Sequence, residues 1–146
     1  MIFTGNFAML RKLNVVVFPV SIAASKPFWY KGLEYKKLAP PMSLVNDYKR
    51  GRISWDTYTT IYNEQLDKLS HTDVMDDLFQ LVRPSLIKMV GELTLHEYLK
   101  GNPSLDQNPD ILIALLCYEK SDQPCHRQLV RQWFHDGGYN CMEIKV

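Results

Sequence analysis

Apolar and polar residues are arranged along this chain in short blocks of changing period. Ile2-Phe3-Thr4 followed by Gly5-Asn6 predicts a short strand and a turn, after which Phe7, Leu10 and Leu13 fall on one face of a short helix. Residues 15–20, Val-Val-Val-Phe-Pro-Val, are β-branched and apolar on both faces. They predict a strand inside a covered sheet, and Pro19, which lacks a ladder donor, points to an edge or a bulge. Strand, helix, strand is the opening of a βαβ unit. Residues 26–52 keep no sustained period and contain Pro27, Gly32, Pro40, Pro41 and Gly51, so they read as a long loop with a short helix over 43–50. Ser54 is placed to cap a helix running to about residue 69, along which Trp55, Tyr58, Tyr62, Leu66 and Leu69 recur every three or four positions. Over 72–100 the same recurrence, through Val74, Leu78, Leu81 and Val82 and then Leu86, Met89, Val90, Leu93, Leu95 and Leu99, predicts two helical segments with a kink or a break before Pro84.

Past a turn-rich stretch over 101–109, seven consecutive apolar residues (111–117) predict a central strand buried on both faces. A helix over 125–136 turns Leu129, Val130, Trp133 and Phe134 toward the sheet, with Ser121 or Asp122 as its cap and Gly137-Gly138 at its end. The last block, 139–146, alternates, with Met142, Ile144 and Val146 on one face, and completes a second βαβ unit. This order predicts one α/β domain over 1–146: a three-layer sandwich with a mainly parallel sheet and a helical insertion in the middle of the chain.

Composition agrees with a folded domain. The chain has 146 residues, 46% hydrophobic and 23% charged, which fits a single core and excludes a disordered or fibrous chain. Three cysteines, an odd number in a domain of this size, argue against a disulfide scaffold and for a reducing, cytoplasmic setting. The apolar runs at 15–20 and 111–117 are too short to span a bilayer, and no signal peptide is expected from residues 1–13. Nucleophile-elbow, P-loop and dinucleotide fingerprints are absent from the sequence. His71, His96 and His135 are scattered and read as surface or helix-end residues.

The formal net charge of +1 conceals an asymmetry. Residues 26–52 hold Lys26, Lys31, Lys36, Lys37, Lys49, Arg50 and Arg52 against Glu34 and Asp47, interleaved with Phe28, Trp29, Tyr30, Tyr35 and Tyr48. Cations among aromatic rings are the usual means of holding a nucleotide or a nucleic-acid strand. The alternative is a solvated loop anchored to the core by its rings and neutralised by the acidic stretch 53–79, where Asp56, Glu64, Asp67, Asp73, Asp76 and Asp77 face only Lys68.

In open α/β sheets ligands bind beyond the carboxyl ends of the strands. Here that address is 117–127. Cys117 and Glu119 leave the strand on one side, and Cys125, His126 and Arg127 sit at the start of the next helix, whose unpaired N–H groups favour a thiolate or a bound anion. Arg127 adds a planar fork suited to phosphate or carboxylate. The plain alternatives are that Cys117 is a small core residue and that Cys125-His126-Arg127 is a helix start held by local hydrogen bonds. Cys117, Cys125 and His126 also suit a metal, or the two cysteines a redox pair, but neither C-x-x-C nor H-x-x-x-H spacing is present and no fourth ligand is evident, so no metal is assigned. Cys141 is expected to pack.

The segment Leu115-Leu116-Cys117-Tyr118-Glu119-Lys120, a short spacer, and then Cys125-His126-Arg127-Gln128-Leu129-Val130 with Trp133 resembles the signature of the domain-of-unknown-function 488 (DUF488) family, small α/β proteins of bacteria and their phages. Thr4-Gly5 and the run from Trp29-Tyr30-Lys31 through Lys36-Lys37 to Pro40 resemble one branch of it. Where many members carry Asp-Val-Arg after the second strand, this chain has Ser21-Ile22-Ala23, so that acid and arginine are missing. The resemblance and the residues together imply a site binding a nucleotide, a nucleic-acid strand or another phosphorylated ligand. Cys125 would be its nucleophile or redox thiol and Glu119 or His126 its acid/base; Arg127, Cys117, Thr4, Gly5, Trp29, Tyr30, Lys31, Lys36 and Lys37 would bind the ligand. The competing expectation is a non-catalytic, phage-encoded interaction or sequestering protein that acts on a host protein or a nucleotide signal, with an exposed apolar patch on the helices over 72–100. No cofactor is assigned, and no membrane partner is expected.

Overall fold

The computed structural model describes residues 1–13, 16–119 and 123–145. Val15 as a strand start, Lys120 of the family-like motif, Ser121 or Asp122 as a helix cap and Val146 in the last strand all fall outside the described residues.

Five strands form one parallel sheet: β1 (Ile2–Asn6), β2 (Phe18–Ser21), β3 (Leu33–Glu34), β4 (Ile113–Cys117) and β5 (Cys141–Glu143), in the order β3-β2-β4-β1-β5. The fold is α/β, as predicted. β4 takes the centre because all five of its residues are buried, the expected fate of an apolar run with no polar face. It pairs with β1 on one side (Ile2 opposite Ile113) and β2 on the other (Phe18 opposite Ile113), so the two strands of the opening βαβ unit flank it. β1 continues through Gly5-Asn6, where a turn was predicted, and a 3-10 segment, Phe7–Lys12, follows.

Pro19 lies inside the sheet, not on its edge. The Phe18 N–H donates to Leu112 and the Ile22 N–H to Leu116, so the N–H groups of this parity point to β4 and the donor missing at Pro19 would point the other way. On that side β3 pairs only from Val20 onward, leaving no ladder position for Pro19 to break.

The helical insertion comprises α1 (Met42–Lys49), α2 (Trp55–Asp67), α3 (His71–Val90) and α4 (Glu92–Leu99); α5 (His126–Asp136) follows β4. Ser54 and Ser70 cap α2 and α3 by accepting from the backbone N–H groups of Thr57 and Asp73. α3 runs unbroken through Pro84, so of the kink or break expected there the break does not occur, and the helix ends at Gly91, whose φ of +87° glycine adopts without steric cost. Pro84 lies on the exposed face, as does Gln80, whose carbonyl loses its partner and can turn to water. The opposite stripe, Val74, Leu78, Val82 and Leu86, is buried and holds the helix together. Pro84→Ala is therefore expected to raise stability in urea denaturation by about 1–3 kcal/mol, because it restores a helical hydrogen bond without touching the core.

Alternation along β4 divides the core. Ile113 and Leu115 join Ile2, Val20, Tyr62, Leu78, Val82 and Phe134 under the helices, whereas Ala114 and Leu116 meet Phe7 and Tyr30 on the other face. That second face is covered by the 3-10 segment and the loop around Tyr30, so the third layer is thin. Among the described residues, no helix is long and apolar enough to cross a membrane.

Candidate functional site

A cleft of about 480 Å³ opens beyond the carboxyl ends of β2 and β4, where an open parallel sheet leaves room between diverging loops. Its floor is the end of β4 (Cys117, Tyr118, Glu119) and the start of α5 (Gln123, Pro124, Cys125, His126). Ala23, Ala24 and Ser25 after β2 form one side; Met42, Val45, Asn46, Tyr48 and Lys49 of α1 with Trp55 and Tyr58 of α2 form the other. The aromatic wall is continuous: Trp55 stacks on Tyr58 at 4.9 Å, and Tyr48 stands 5.4 Å from Trp55 and 5.6 Å from Tyr58. Burial, with the Glu119 carboxylate and Tyr48 adding to it, pushes the Tyr58 phenol well above its ordinary range, so it stays protonated. Lys49 pairs with Glu119 at 3.6 Å across the mouth.

The floor gathers Cys125, His126 and Glu119, at which the sequence suggested catalysis, together with Cys117. Cys125 caps α5, one position before the helix proper, and its N–H donates to the Gln128 side chain at 3.4 Å. Its sulfur is in direct contact with that of Cys117. The two Cα atoms are 7.8 Å apart, beyond the ~4.4–6.8 Å over which relaxed disulfides close, so we read the pair as two sulfurs converging on one point. His126 is buried; its Nε2–H donates to the Ile22 carbonyl at 2.7 Å, and the Nδ1 lone pair is left toward the Cys125 sulfur, 3.7 Å away. Burial, and then the neighbouring Arg127 charge, lower the His126 pKa to about 4 against the pull of that hydrogen bond. The imidazole is neutral at pH 7. This disfavours a thiolate–imidazolium pair and leaves His126 as an acceptor or a ligand.

Arg127, expected to clamp an anion, does something else. Its side chain is fully buried, and Nε donates to both carboxylate oxygens of Glu143 at 3.1 Å. Nη1 donates to the Glu119 carbonyl at 2.5 Å and to the Cys117 sulfur at 3.0 Å, while Nη2 is buried without a hydrogen-bond partner among the described residues. Glu143 also accepts from Thr4 at 2.8 Å. Arg127 thus ties β1, β4 and β5 together behind the cleft and is absent from its lining.

The other expected ligand residues do not converge there. Thr4 is buried on Glu143, and a Cβ at Gly5 would press on the Met9 sulfur at 3.0 Å, so the glycine serves close packing within the sheet. Trp29 packs edge-on against Phe7, with the Arg11 guanidinium 5.3 Å above its ring. Tyr30 is buried, its hydroxyl donating to the Leu33 carbonyl at 2.8 Å. Lys36 pairs with Glu34 at 3.2 Å and Lys37 with Asp77 at 3.0 Å; only Lys31 of this set is exposed without a partner among the described residues. The basic loop is therefore largely anchored and neutralised, the plainer of its two readings. Cys141 is free and buried in β5, where burial pushes its thiol up to about 12.

Trp55 and Tyr58 were legible only as a helical stripe, because nothing in their spacing shows that the amino-terminal turn of α2 overhangs the strand ends. Comparison with protein-family models, curated proteins and solved structures finds no match to the chain.

Proposed function

We propose that the chain is a ligand-binding domain of the DUF488 type whose cleft takes a nucleotide-sized planar molecule, with thiol chemistry available at its floor. The observation that carries this reading is the aromatic wall of Tyr48, Trp55 and Tyr58 standing over the Cys117, Cys125 and His126 floor in one cleft of nucleotide size. Stacking on aromatic faces contributes about 1–3 kcal/mol per base and tolerates different bases. Lys49, at the mouth of the cleft, is the feature that suits a single phosphate; the dispersed cations of the 26–52 loop argue against a long nucleic-acid strand.

Titration with the common nucleoside monophosphates, followed by intrinsic fluorescence, is expected to show saturable quenching by at least one. Ribose 5-phosphate should give none, and Trp55→Ala should weaken binding about 10-fold or more. Equal binding of ribose 5-phosphate, or saturation by no nucleotide, overturns the reading.

A second reading, a non-catalytic interaction protein acting through protein contact, is favoured by one observation. At the junction of α3 and α4, Met89, Val90 and Leu93 are exposed, Leu93 by 75%, and Tyr98 lies half exposed further along α4. That reading expects no nucleotide to saturate the cleft, so the same titration separates the two.

A further inference from the structure

We propose that the reduced chain binds one Zn²⁺ through the sulfurs of Cys117 and Cys125 and Nδ1 of His126, with the fourth position open to the cleft. These three ligand atoms lie within 4.8 Å of one another, and all three residues are buried. In a tetrahedral site with Zn–S of about 2.3 Å and Zn–N of about 2.0–2.1 Å, sulfur and nitrogen ligands stand about 3.6 Å apart. Cys125 Sγ and His126 Nδ1 are separated by 3.7 Å.

The surroundings match what a zinc site needs beyond its ligands. Metal-bound histidines donate their second N–H to a carbonyl or carboxylate, which fixes the tautomer and aims the other nitrogen; Nε2–H of His126 does this to Ile22 at 2.7 Å. A thiolate ligand is favoured by a fixed positive donor, and Arg127 Nη1 supplies one to Cys117 at 3.0 Å. The 7.8 Å between the two Cα atoms exceeds the reach of a relaxed disulfide, so side-chain rotation can part the touching sulfurs to the roughly 3.8 Å that two sulfurs on one zinc keep. Binding replaces the sulfur–sulfur contact with two metal–sulfur bonds and releases the two thiol protons to solvent.

Two thiolates and one imidazole suit Zn²⁺ among the common divalent ions, and three protein ligands are the number that leaves a coordination position for water or substrate. The open position faces the volume lined by Glu119, Trp55 and Tyr58, so an oxygen or nitrogen donor on a planar ligand would be the natural fourth partner. The inference uses the same cleft as the nucleotide reading but does not depend on what fills it.

The test uses the full chain, reduced with a phosphine, stripped of metal by a chelator and titrated with Co²⁺ alone. Visible absorption of tetrahedral, thiolate-bound Co²⁺ should saturate at one ion per chain and bleach when Zn²⁺ is added. Cys141→Ser should keep these bands. Cys117→Ser, Cys125→Ser and His126→Asn should lose them, or weaken Co²⁺ binding about 100-fold, with unchanged far-ultraviolet circular dichroism. Because a floor variant could unfold, the unsubstituted chain provides an independent measure: Zn²⁺ should protect Cys117 and Cys125 from alkylation.

The proposal is overturned by a pale octahedral spectrum, by bands that survive both cysteine substitutions, or by a Cys117–Cys125 pair that stays oxidised after phosphine treatment. It fails separately from the nucleotide reading, since the bands are measured with no nucleotide present.

Discussion

Arg127→Met should destabilise the fold by about 3–5 kcal/mol, seen as a melting temperature lower by roughly 10 °C or more. The guanidinium is fully buried and Glu143 almost so; removing the cation leaves a carboxylate among strands with, among the described residues, only the Thr4 hydroxyl to satisfy it. Taking away one partner of a buried pair costs far more than removing both, because the survivor keeps its desolvation cost without its counter-charge. The double variant Arg127→Met with Glu143→Gln should therefore recover much of the loss. Arg127→Lys should not, since one ammonium cannot serve Glu143, the Glu119 carbonyl and the Cys117 sulfur in the fork geometry that Arg127 uses. If Arg127→Met instead melts like the parent and only ligand binding falls, the side chain belongs to the cleft after all.

That result bears on how residues announce themselves in a sequence. β4, α2 and α5 were legible because hydrophobic burial is written in local periodicity: five buried residues in a row in β4, and Tyr58, Tyr62 and Leu66 on one stripe of α2. The address of the site was also legible, since strand ends followed by a helix start are where parallel sheets place ligands, and Cys117, Glu119, Cys125 and His126 do line one cleft. The direction a side chain takes from that address is not written locally. Arg127 is one residue past His126, yet it points into a network closed by Thr4 and Glu143, residues from opposite ends of the chain.

The same holds for the basic loop. Its Lys37 is neutralised by Asp77 of α3, a pairing across forty positions that no window of sequence shows. Pro84 misled for the converse reason. A proline predicts a break from backbone chemistry alone, whereas the outcome depends on which face of the helix meets water.

His126 makes the chain sensitive to acid in a defined window, measured with chelator present so that only protons compete for the ring. Buried in the folded chain its pKa falls to about 4, against the ordinary 6.5 expected when unfolded. Between these values the unfolded chain holds the extra proton, so acid favours unfolding. The contribution of a neutral, buried His126 is complete above about pH 6.5. It is lost progressively as pH falls toward 4, where folded and unfolded forms are both protonated and the slope ends. A difference of this size corresponds to about 3 kcal/mol over the window.

Urea denaturation from pH 7 to pH 4 should show that decline, and His126→Gln should flatten most of it. At pH 7 the variant loses the Nε2–H donor to Ile22 unless the glutamine amide replaces it, so its absolute stability is less informative than its slope. An acid limb as steep in His126→Gln as in the parent would assign the sensitivity to carboxylates instead. Glu143, facing Arg127 across the buried pair, would then be the first to replace.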